Sequence, residues 1–135
     1  MPDGDDLTIS DETLLYRRIA PQWLHPDERL RCVRASSGAV QTERLSVLIG
    51  DTLAELGLAA ADIVEDWPTH ALLEFAAGDA RAAGLPVVRD RKGEAPLEQA
   101  HGLVLGKKSK PEKRALLLAS VWVIAPPGAC PTPAG

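Results

Sequence analysis

The chain has 135 residues, 45% of them apolar, and a formal net charge of −4. That length fits one domain able to bury roughly two thirds of its unfolded surface, around an aliphatic core, because only three Trp, one Tyr and one Phe are present. No apolar run reaches the ~18 residues a membrane helix needs, and no basic stretch followed by an apolar one opens the chain as a secretory signal would.

In chain order, Met1–Asp6 has the composition of a disordered acidic tail. Thr13–Ile19 reads as a short strand or turn, stopped by Pro21. Arg29–Arg34 (RLRCVR) alternates charged and apolar residues, the period of a half-buried strand. Arg44–Ile49 (RLSVLI) reads as a more buried strand. Asp51 is placed to cap a helix running to Leu56, with Gly57 just past its end. Ala59–Asp66 is a second helix, ended before Pro68. His70–Phe75 is a strand, Ala77–Ala83 a helix closed by Gly84, and Val87-Val88 the start of an edge strand, since Pro96 blocks a central one.

His101–Leu105 is a further strand, followed by the turn Gly106-Lys107-Lys108. Ser109 and Glu112 have capping-box spacing, with Pro111 in the first turn. Leu117, Val121 and Ile124 then repeat at i, i+4 and i+7, which predicts an amphipathic helix carried to Ile124. Pro126–Gly135 (PPGACPTPAG) reads as a second disordered tail. The fold expected is α+β, a single domain over 7–125: a mixed sheet of about five strands with short helices and a C-terminal amphipathic helix packed on one face.

Cys32 and Cys130 show no C-x-x-C spacing, and no histidine cluster accompanies them, so neither metal nor cofactor is expected. With Cys130 in the tail, a disulfide is not expected either. The reading is a reduced chain, one thiol half-buried and one free, in the cytoplasm.

Charge is segregated. Met1–Glu12 holds five acids and no base; Thr13–Arg34 holds five arginines against two acids. Glu43–Asp79 has eight acids against Arg44 alone, and Arg81–Arg114 nine bases against four acids. Two basic candidates follow. Lys107, Lys108, Ser109, Lys110, Lys113 and Arg114 sit at a helix start, where free N–H groups and the helix dipole attract an anion. Arg17, Arg18, Arg31 and Arg34, near Tyr16 and Trp23, form the second cluster. The first lacks G-x-x-x-x-G-K-[ST] and is no Walker loop.

His25, His70 and His101 have no metal spacing, and Ser36-Ser37-Gly38 is no nucleophile elbow. No catalytic residue is named, and an enzyme is the less expected outcome. The leading reading is a small non-catalytic interaction domain, an accessory or adaptor subunit of a bacterial multi-protein system that docks a protein partner through complementary charge. The alternative is binding of phosphate or a nucleic-acid backbone through residues 106–114, although the net negative charge disfavours general duplex binding. A small enzyme using His101 or Arg17 is a third reading. It requires those side chains to converge with the basic turn in one pocket.

Overall fold

The computed structural model describes residues 4–135. Short runs, most of them rich in Leu, Val and Ile, become strands: β1 (Leu14–Ile19), β2 (Leu24–Asp27), β3 (Cys32–Ala35), β4 (Arg44–Ile49), β5 (Ala71–Ala76), β6 (Val87–Arg89), β7 (His101–Leu105) and β8 (Val121–Ile124). Between them lie the short helices α1 (Gly50–Glu55), α2 (Ala60–Ile63), α3 (Ala77–Ala82), α4 (Pro96–Gln99) and α5 (Lys110–Ala119).

The architecture is a single α+β unit. Six strands form one sheet in the order β6-β7-β4-β1-β5-β8, antiparallel at every pairing, and β2 and β3 form a separate hairpin. The sheet separates two apolar layers. On one face Leu15, Ile19, Leu45, Val47, Leu73, Phe75 and Val104 pack under α3, α5 and the 3-10 turn Ser37–Val40, closed by Leu116 and Leu117. On the other, Leu48 and Leu72 meet Leu53 of α1, Ile63 of α2 and Ala100. The period-two alternation of β1 thus feeds both layers.

α5 ends at Ala119, five residues earlier than the apolar repeat predicts. The Ser120 hydroxyl donates to Leu116 O at 2.7 Å and closes the last turn. The β-branched run Val121–Ile124 then pairs with β5 as the sheet's edge. Residues of that composition fit a pleated, half-buried surface better than a helix. Asp51 likewise does not cap α1, since the cap position is Ile49. Its carboxylate accepts from Arg89 instead.

Residues 126–135 are not a loose tail. After β8 the chain turns back and runs beside β3, with Val33 N–H donating to Gly128 O, Cys130 N–H to Val33 O and Ala35 N–H to Pro133 O. Trp122 Nε1 donates to Cys130 O at 3.1 Å. Cys130 is buried and forms a disulfide with Cys32, which corrects the expectation of two thiols. Proline density marks a segment without helix or strand of its own. It does not prevent packing when another strand supplies the hydrogen-bond partners.

At the other end, Met1–Asp3 lie outside the described residues. Asp5 and Asp6 are held: Asp5 Oδ1 accepts from Val87 N–H at 2.9 Å and from Arg81 Nε at 3.1 Å.

Candidate functional site

The helix start that the sequence singles out is rebuilt from within. Gly106, at φ +106°, turns the chain so that Lys108 points inward. Its ammonium donates to Thr42 O (2.7 Å), Val104 O (2.9 Å) and Gly106 O (2.9 Å), with Glu43 O a longer fourth acceptor at 3.3 Å. Burial pushes this amine down to about 8, while the Glu43 charge acts in the opposite direction. Lys108 is therefore a clamp between the β7–α5 turn and the start of β4, not an anion contact. Ser109 N–H and its hydroxyl both donate to Glu112 Oε1, at 3.3 and 2.6 Å. The Glu112 carboxyl is held below its usual range, chiefly by that hydroxyl. The chain's own carboxylate thus occupies the helix N-terminus where an external anion was expected. Lys107 is exposed and lines neither cleft described below.

One turn further, Lys110, Lys113 and Arg114 project toward the β2–β3 hairpin and line a groove of about 800 Å³. Arg29, Arg34 and His25 line its opposite side, together with Ser36 and Ser37. Leu30, Leu117 and Leu118 supply apolar surface, and Leu118 is 62% exposed. Among the described residues Asp27 is the only carboxylate lining it, and Arg34 Nε already meets that group at 3.2 Å. Ala134, from the segment tied by the Cys32–Cys130 bond, completes the wall.

The second predicted cluster is dispersed. Arg31 sits at the hairpin turn with φ 57°, and Arg34 joins the groove. Arg17 and Arg18 lie in the main sheet, where they line a separate cleft of about 90 Å³ with Tyr16, Ser46 and His101. So His101 and Arg17 converge with each other but not with the basic turn. Among the described residues no group of three or more His, Cys, Asp or Glu is placed to hold a metal ion. No helix there is long and apolar enough to cross a membrane.

Sequence reasoning missed the contributions of Arg29 and His25. The signal was present: residues 24–35 can fold as a hairpin that brings those side chains beside any neighbouring element. What no local pattern announces is that the neighbour is α5. Searches against protein-family models, curated proteins and solved structures find no match to this chain, so geometry alone carries the functional reading.

Proposed function

We propose that this chain is a non-catalytic interaction domain, an accessory or adaptor subunit of a bacterial-type multi-protein system, whose groove between α5 and the β2–β3 hairpin receives an acidic segment of a protein partner. One observation carries the reading. Among the described residues five Lys or Arg side chains line one groove against a single carboxylate, and that carboxylate is already paired. Its volume lies within the range of natural ligand sites, and Leu30, Leu117 and Leu118 would favour a segment carrying an apolar anchor among its acids. Lys113 and Arg114 would supply long-range attraction, and the leucines contact area once the segment is seated.

The test is fluorescence anisotropy of a labelled peptide of alternating Glu and Leu against its Lys-for-Glu counterpart. Saturable binding of the acidic peptide alone, weakening with added salt, is expected. Equal binding of both peptides, or of neither, counts against the proposal. A nucleic-acid backbone could use the same cations and is the second reading. It predicts that a short duplex competes for the groove with a steeper salt dependence than the peptide.

Location enters through the cysteines. A disulfide persists in oxidising surroundings and opens in a reducing cytoplasm. We propose that in a cytoplasmic location residues 126–135 are held to β3 by their backbone hydrogen bonds alone, without the covalent tie. Thiol counting on acid-quenched cells separates the two forms.

A further inference from the structure

β1 and β4 are neighbours in the sheet, yet their register holds only at Leu15↔Ile49 and Tyr16↔Leu48. Beyond that point they part, while β4 remains paired to β7 as far as Arg44↔Leu105 and β1 to β5 as far as Ile19↔Ala71. Arg17 bridges the opening. Its Nε donates to Ala39 O at 3.1 Å and its Nη1 to Ser46 O at 3.0 Å, which satisfies a carbonyl that the interrupted ladder leaves without a strand partner. Arg18, on the other face, donates from Nη1 to Ile63 O at 3.1 Å and stands 5.0 Å from the Trp67 ring centre. Each guanidinium is held in place and retains N–H donors beyond those already used.

His101 completes the cleft from β7. Its Nδ1 lies 2.9 Å from Asp90 O and 3.1 Å from Asp90 Oδ2, though only the backbone carbonyl meets hydrogen-bond geometry. That contact fixes the ring and leaves Nε2 as the nitrogen with no hydrogen-bond partner among the described residues. Ser46 is exposed at the mouth, and Tyr16 carries a phenol kept protonated first by burial and then by the Glu74 charge.

The charge balance decides what fits. Among the described residues none of the eight ion pairs includes Arg17 or Arg18. Burial works against the charge on both, and Arg18 adds a like charge beside Arg17. Guanidinium does not relieve this by losing its proton. Two partly desolvated cations with no carboxylate partner among the described residues are costly as they stand, and an anion in the cleft beside Arg18 offsets part of that cost. Their planar forks match phosphate oxygens. A cleft of about 90 Å³ has room for roughly three waters at ~30 Å³ each, close to the bulk of one tetrahedral oxoanion and too little for a nucleoside.

We propose that the cleft between β1 and β4 is a binding site for a phosphate-sized oxoanion, held by Arg18 and His101. It is separate from the groove beside α5 and does not depend on that groove's role. The oxoanion could be free phosphate or the phosphoryl end of a larger molecule whose remainder lies outside the open mouth.

The test is an NMR titration of the full chain with sodium phosphate at constant ionic strength, sodium chloride making up the balance. Saturable shifts are expected at the His101 ring and the Arg18 side chain. Affinity should fall tenfold or more in Arg18→Gln and at least threefold in His101→Gln, which leaves the Arg18–Trp67 contact intact. Lys113→Gln, in the other groove, should leave it unchanged. Phenyl phosphate binding more tightly than inorganic phosphate assigns the site to a phosphoryl group on a larger ligand; equal affinity assigns it to the free ion. Shifts that do not saturate, or a phosphate affinity that Arg18→Gln and His101→Gln both retain in full, overturn the proposal.

Discussion

Two regions of this molecule carry many arginines and lysines, and they are treated in opposite ways. Around α3 and β6 every guanidinium has its acid. Arg81 meets Asp5 (3.1 Å) and Asp11 (2.8 Å), and Arg89 meets Asp51 (2.7 Å) and Asp6 (3.7 Å). Those contacts fasten residues 5–11 across the sheet's edge and neutralise the most acidic stretch of the chain. Beside α5, Arg29, Lys110, Lys113 and Arg114 take part in none of the ion pairs among the described residues. The segregated charge of the sequence is thus partly spent inside the fold and partly left facing a groove. Charge that holds the chain together is structural, and only the unspent remainder supports a docking role.

The comparison predicts unequal sensitivity to substitution. The largest loss should come from Cys130→Ser, because the bond closes a loop of 98 residues of sequence separation. Removing a native disulfide of this kind costs about 4 kcal/mol, read from urea unfolding, and should also loosen the wall that Ala134 contributes to the groove. Arg81→Ala should follow at about 3 kcal/mol, since it leaves the buried Asp5 carboxylate without its cation. A cost below ~1 kcal/mol would show that the neutralised region is not structural.

Lys108 predicts a pH effect. Its folded value, about 8, lies below the 10.5 of an unfolded lysine, so the unfolded chain binds more protons between those limits. Stability should rise as pH climbs from about 8 to 10.5, and Lys108→Met should abolish that rise while leaving its carbonyl partners unsatisfied. Smallest of all, Lys113→Ala should change stability by no more than ~0.5 kcal/mol, yet weaken acidic-peptide binding. That separation of stability from binding sharpens the contrast most.

How much of this was legible in the sequence follows from the range of each interaction. β4, β5 and β7 were readable because their apolar runs are local signals, with Gly50 just past β4 and Gly106 just past β7, and Gly57 and Gly84 end their helices at positive φ as placed. Val121–Ile124 misled because its spacing suits a helix as well as a strand, and the choice is made by β5, 50 residues away. The Cys32–Cys130 bond was hidden for the same reason. Arg17 and Arg18 were grouped with Arg31 and Arg34 by proximity along the chain. A strand sends consecutive side chains to opposite faces, and the grouping dissolves once β1 forms. Lys108 carries no mark distinguishing it from Lys107; only the turn at Gly106 decides which of them enters the protein.

The most direct test of the account compares two charge reversals of equal size. Lys113→Glu with Arg114→Glu changes net charge as much as Arg91→Glu with Lys92→Glu, but Arg91 and Lys92 already face Glu94 and Asp90. Measured by anisotropy at one ionic strength, the α5 pair should remove acidic-peptide binding, while the Arg91/Lys92 pair should weaken it no more than threefold. Equal losses from both pairs would mean that overall charge, not the groove, attracts the peptide, and would contradict the docking site proposed here.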